Sequence, residues 1–207
     1  MTVMEPLNSS LPSEAPTFSY LLDKSWKALN KNLGKGIQIT LVFIALSFIC
    51  SAIPVIGSIV SLLLSPGYLI CLNRLRVGEK VDLDQLLWGF SDFQLSLKFL
   101  IFRLVSGFII LLGLILLLIP GIYLIIALTF SEAQFTLVNQ NAFDCMEKSM
   151  ALVKNRWWYI HNLFFWATLL NIAGLLALGI GVLITLPLSS IIFLEAFYFL
   201  KQEKNET

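Results

Sequence analysis

Six long apolar runs, at about 36–53, 55–73, 94–119, 121–138, 158–178 and 181–200, limit this chain's fold more than any other feature. Each has roughly 18 to 26 residues, which as a helix measures about 27 to 39 Å against a hydrocarbon core of about 30 Å. The rest of the 207 residues offers little to dissolve them. The chain is 57% hydrophobic and 13% charged, with a mean hydropathy of +0.84, about half the charge of a soluble domain. Fourteen basic and thirteen acidic side chains cannot cover that much apolar surface in water. Such a chain is neither disordered nor an ordinary soluble enzyme, and its net charge of +1 gives nucleic acid little to hold.

The runs come in pairs, divided only by short uncharged turns: Ile53-Pro54-Val55-Ile56-Gly57, Ile119-Pro120-Gly121 and Leu178-Gly179-Ile180-Gly181. Proline lacks a donor and glycine tolerates positive φ, so one helix stops and the next starts at each turn. The expected fold is all-α: a polytopic membrane protein with six transmembrane helices in three hairpins, at about 36–73, 94–138 and 158–200. All fourteen Lys and Arg residues lie outside the three turns. The positive-inside rule then puts both termini and both long connections in the cytoplasm. Trp26, Trp88, Trp157 and Trp158 flank the same side, where indole rings favour the interface.

Residues 1–16 hold three prolines and little that could pack, and are expected to form a disordered tail. A single membrane domain then spans 17–200, and 201–207 form a cytoplasmic tail. Within that domain each hairpin is expected to follow a short amphipathic helix lying along the cytoplasmic leaflet. The first, Thr17 to Asn32, carries Phe18, Leu21, Leu22, Trp26, Leu29 and the adjoining Leu33 beside Lys24, Lys27 and Lys31. In the second, Asp82 to Asp92, the apolar face is Leu83, Leu86, Leu87 and Phe90. The third, Asn141 to Lys154, offers Phe143, Met146, Met150 and Val153. Lys31-Asn32 and Lys154-Asn155 lie 123 positions apart, and Trp26 and Trp88 lie 62 apart, which suggests three units of about 62 residues.

No secretory signal is expected, since residues 1–35 have no apolar core of the required length; the first span serves as its own insertion signal. Three cysteines, Cys50, Cys71 and Cys145, are expected as thiols, because Cys50 and Cys71 fall at opposite ends of the first hairpin.

One stretch carries a family resemblance. Ser25-Trp26, Ile119-Pro120-Gly121-Ile122-Tyr123, Asp144-Cys145-Met146 with Ser149, Trp157-Trp158, and then Asn171, Gly174, Gly179, Gly181, Thr185 and Pro187 resemble a loose group of six-span bacterial membrane proteins. That group includes the membrane domain fused to some glycerophosphodiester phosphodiesterases. The likeness runs from Ser25 to Tyr198, through glycine-proline and hydrophobic patterns. It implies a six-helix bacterial inner-membrane protein. The phosphodiesterase reaction belongs to a module that is not part of the likeness and is not carried over.

The candidate site consists of the polar residues inside the apolar runs: Glu132, Glu195, Arg103 and Asn171. A carboxylate at mid-bilayer costs about 2.5 to 3.5 kcal/mol on insertion scales, and a dozen apolar residues offset it. Intramembrane ionisable groups are by default an ion or proton site. The other reading has the two acids near the headgroups, paired with Arg103 or reaching water. Pro66 and Pro187 interrupt the second and sixth runs and free the Leu62 and Leu183 carbonyls. Ala173, Ala177 and Gly181, with Gly174, form a small-residue stripe for close packing. Catalytic constellations are missing: His161 is the one histidine, so no multi-histidine metal site can form, and no phosphate loop or nucleophile elbow occurs. The expectation is a non-enzymatic protein without cofactor or metal. It acts through membrane lipids, a protein partner or a second copy of itself. The alternative is a small transporter or channel lined by Glu132, Glu195, Arg103 and Asn171.

Overall fold

The computed structural model describes residues 15–50, 54–138, 141–177 and 179–206. The expected tail lies almost wholly outside them, as do Ile53 and Leu178 of the turns. Among the described residues the chain is all helix. Its α-helices are α1 (Phe18–Asn30), α2 (Leu33–Cys50), α3 (Pro54–Val77), α4 (Phe93–Leu116), α5 (Leu118–Ala127), α6 (Ser131–Leu137), α7 (Ala142–Val153), α8 (Trp157–Leu176) and α9 (Val182–Glu206), with a 3₁₀ helix at Leu83–Phe90 between α3 and α4. Six stretches are long and apolar enough to cross a bilayer: α2, most of α3, α4, Pro120–Leu137, α8 and most of α9. This is the architecture of a multi-pass membrane protein.

Neighbouring spans pack on each other: α2 on α3, α4 on α5 and α8 on α9. Glycines set how closely. A Cβ at Gly121 would run into Leu114, and one at Gly174 or Gly181 would meet the facing helix, so the stripe is spent on α8–α9 contact. Ala177 touches Gly181 there, whereas Ala173 is exposed. The turn between α4 and α5 is Leu117 alone, in extended conformation. Ile119-Pro120-Gly121 therefore falls in the first turn of α5, where proline's missing donor costs nothing. At its far end α9 continues as helix to Glu206, through the residues expected as a tail.

The fourth span is not one helix. Between α5 and α6, Leu128 and Phe130 leave helical geometry, with ψ near 5° and 2°. Hydroxyls flank the break: Thr129 Oγ1 donates to the Ile125 carbonyl and Ser131 Oγ to the Leu128 carbonyl, the local back-bonding that weakly bends helices. The Thr129 and Ser131 N–H groups turn to i−3 carbonyls, which strands the Ala127 carbonyl and the Phe130 N–H. One side chain on α7 satisfies both. Ser149 Oγ donates to Ala127 O at 2.7 Å and accepts from Phe130 N at 3.2 Å. Broken backbone survives at membrane depth only where protein covers it, and Ala127, Leu128, Phe130, Ser131 and Ser149 are all buried. Ser149→Ala leaves two buried backbone groups unpaired and should cost about 1–3 kcal/mol in denaturation of the purified protein. Ser149→Thr, which keeps the hydroxyl, should recover part of that loss.

The segments expected as surface helices differ from that expectation. Leu83–Phe90 is a 3₁₀ helix that runs back along α3 and touches it at Leu63 and Gly67, not at its end. Gly67 lies ten residues, about 15 Å, from Val77. The chain can turn back because α3 ends on Gly78 at φ 81°, with Gly78 N–H bonded to Leu75 O and Glu79 N–H to Arg74 O. Helix α1 covers its own stripe: Leu21, Ser25 and Leu29 are buried against α9 and its neighbours. Helix α7 buries Cys145, Met146, Ser149, Leu152 and Val153, and turns Phe143 and Met150 outward, against the apolar face read from sequence.

The buried positions of α1 and α7 keep one spacing: 21, 25 and 29 against 145, 149 and 153, always 124 apart. That is twice the 62-residue period. Packing follows the same repeat, with each short helix seated on the last helix of the unit before it. The 3₁₀ segment sits on α3, α7 on α6, and α1 closes the ring on α9.

Candidate functional site

The four polar residues singled out in the sequence occupy three separate places. Arg103 and Glu132 meet, with Arg103 Nη2 at 2.8 Å from Glu132 Oε2. Arg103 is the eleventh of 24 residues in α4, and so near the middle of its span. Glu132 opens α6 just after the break. Its second oxygen, Oε1, lies 2.6 Å from Ser65 Oγ on α3, twelve residues or about 18 Å from the end at Val77. The carboxylate thus lies beside the middle of α3. Beside the pair, Phe99, Phe102 and Phe135 cluster with centroids 4.9 to 5.8 Å apart, Phe102 stacked on Phe135 and Phe99 edge-on to Phe135, and the Arg103 guanidinium lies 5.7 Å from the Phe99 ring centre.

Glu195 does not meet Arg103. It is 4% exposed and held by two other cations: Lys24 Nζ of α1 at 2.6 Å from Oε2, and Arg76 Nη1 of α3 at 3.3 Å from Oε1. Arg76 is itself 8% exposed, donates from Nε to Asn73 Oδ1 and lies 4.2 Å from the centre of the Tyr198 ring. This cluster, net +1, ties α1, α3 and α9 together at one end of the bundle. The third place is Asn171 on α8, whose amide donates to Ser189 Oγ of α9 at 3.1 Å while its carbonyl oxygen is buried without a partner.

Sequence reasoning missed Ser65, Lys24, Arg76 and Tyr198. Ser65 had a usable signal: it precedes Pro66, which removes the N–H that would have bonded Leu62 O, and Ser65 Oγ reaches that carbonyl at 2.9 Å. Arg76 had none, because its partner stands 119 residues away. Pro187 likewise lies inside α9. Among the described residues no group of three or more His, Cys, Asp and Glu could hold a metal ion, and no disulfide joins the cysteines. Cys145 on α7 is buried, and burial pushes its thiol up to about 11. His161 stacks on Trp157 with centroids 5.3 Å apart, a packing contact. Comparisons with protein-family models, curated proteins and solved structures find no match.

Proposed function

We propose that the chain is a non-catalytic inner-membrane protein that acts through lipids or a partner protein at the cytoplasmic leaflet, with both termini in the cytoplasm. Its spans form three hairpins, and the ring of short helices couples the hairpins to the cytoplasmic surface. The resemblance to six-span bacterial membrane proteins belongs to this proposal. The observation that carries it is the use made of the intramembrane charges: Arg103 binds Glu132, and Lys24 and Arg76 bind Glu195, so each acid joins helices. Meanwhile Leu87, Phe90 and Phe93 in and beside the 3₁₀ segment, and Phe143, Met150 and Trp158 on α7 and at the start of α8, stand exposed, as side chains do that meet acyl chains or a second protein.

Extraction from native membranes tests the activity: a specific lipid or protein should co-purify, and exchange of Phe143 and Met150 for serine should reduce it. A chain isolated alone removes this reading. Thiol labelling tests the orientation in a background without the native cysteines. A thiol at Ile180 should react with an impermeant reagent on intact cells, and one at Lys80 only after permeabilisation.

One observation favours a second reading, a small transporter or channel. The fourth span breaks next to Glu132, and discontinuous helices with an adjoining ionisable group are how transporters build ion sites. Asn171 and Glu195 contribute less to it, as they lie elsewhere.

A further inference from the structure

We propose that Glu132 is a proton-binding site whose two protonation states are matched by a switch of the Ser65 hydroxyl between Glu132 and the Leu62 carbonyl. This rests on the second reading above and narrows its ligand to a proton.

The argument is a count of donors. Ser65 has one hydroxyl proton and two acceptors in range, Leu62 O at 2.9 Å and Glu132 Oε1 at 2.6 Å. Leu62 O has no helical donor, because Pro66 stands where the i+4 N–H would be. When Glu132 is ionised it only accepts, so Ser65 can serve the carboxylate or the carbonyl but not both. When Glu132 carries a proton on Oε1, that proton goes to Ser65 Oγ, and Ser65 turns its own to Leu62 O. Glu132 Oε1, the Ser65 hydroxyl and the Leu62 carbonyl are then each satisfied, while Arg103 Nε, buried without a partner, stays so in both states. No covalent bond changes except the O–H at Glu132, and the hydroxyl rotates.

Charge favours the other state. Arg103 stabilises the carboxylate through Oε2, and on losing it keeps the face of Phe99. The ion pair thus favours the carboxylate, and the pairing of Leu62 O favours the acid. Arg103 on Oε2 also disfavours a metal ion, whose charge it would repel. Arg103 of α4 is the charged group in contact with Glu132. From α3 come Ser65 and, one turn on, Tyr68, whose hydroxyl is bonded to Thr40. Helix α7, which packs on α6, carries buried Cys145 with Asp144 and Lys148 acting on its thiol, and exposed Glu147.

Infrared difference spectroscopy of the protein in lipid, titrated between about pH 4 and 9, tests this. A carboxylic-acid C=O band should grow on acidification and vanish in Glu132→Gln. Ser65→Ala, which removes the acceptor of the acid proton, should move the band to higher frequency. Arg103→Gln, which removes the cation that holds the charged form, should make the band appear at a pH at least about one unit higher, and Arg103→Lys should reverse most of that shift. A spectrum that Glu132→Gln leaves unchanged at every pH overturns the proposal. Proton flux into liposomes separates it from the transport reading. A band that titrates without flux keeps the site and removes transport, whereas flux that survives Glu132→Gln without a band does the reverse.

Discussion

Glu195→Gln is expected to lower the unfolding free energy by about 3–5 kcal/mol, the usual cost of breaking a buried ion pair by removing one partner. Glu195 and Arg76 are both more than nine-tenths buried, and glutamine keeps the volume while removing the charge. Arg76 is then a cation held by Asn73 Oδ1 and the Tyr198 ring, with no carboxylate. Lys24 can turn to solvent, because it is 36% exposed, so most of the loss falls on Arg76. The double variant Glu195→Gln, Arg76→Met should therefore recover much of the stability by removing the stranded charge. Lys27→Ala, which breaks the exposed Asp23–Lys27 pair on α1, serves as the reference and should cost less than about 0.5 kcal/mol. Denaturation in detergent reads all three. A Glu195→Gln loss as small as that of Lys27→Ala would mean that the cluster is open to water. Because Lys24 also draws α1 onto α9, the variant should speed proteolysis between α1 and α2.

How much of this was legible follows from the range of each interaction. The spans were legible because apolar length is a local property, and every run has a helical counterpart within a few residues. The Arg103–Glu132 pair was an allowed contact because both lie deep in neighbouring runs. The break in the fourth span was not legible: Leu128-Thr129-Phe130-Ser131 contains neither glycine nor proline, and what stabilises it is Ser149 on another helix. Glu195 was seen as an intramembrane acid, but its partners Lys24 and Arg76 looked like ordinary interfacial lysine and arginine. The segment at 83–90 misled for a different reason. Leu83, Leu86 and Leu87 satisfy a period of 3.6, yet the buried positions are Leu86 and Gly89, three apart, as in a 3₁₀ helix. That choice is made by the surface it lies on, which is Gly67 and Leu63 of α3.

Those two glycines carry the other large effect, and Gly67→Ala should destabilise the protein at or above the top of the usual range of about 1–3 kcal/mol for overpacking. The position lies inside α3, where alanine by propensity alone should gain about 0.5–1 kcal/mol over glycine. Packing reverses the sign. A Cβ at Gly67 would run into the backbone carbonyl of Leu86, with the Gln85 carbonyl close behind, and a Cβ at Gly89 would run into the carbonyl of Leu63. In each case the obstacle is backbone, which cannot rotate aside as a side chain can. The two contacts are reciprocal, each strand of backbone entering the gap left by the other's missing side chain, so Gly67→Ala and Gly89→Ala should each lift the 3₁₀ segment from α3. Leu86 and Gly89 would then lose their cover, and because α4 starts at Phe93, its seat beside α3 should loosen as well. The losses should be less than additive, since one displacement relieves both clashes. Gly34→Ala in α2 and Gly107→Ala in α4 meet open space and should stabilise by the propensity term. Denaturation midpoints of the four variants, with protease sensitivity at 83–90 as a local readout, decide it: destabilisation confined to 67 and 89 requires the segment to lie along α3, and four equal effects would place it elsewhere.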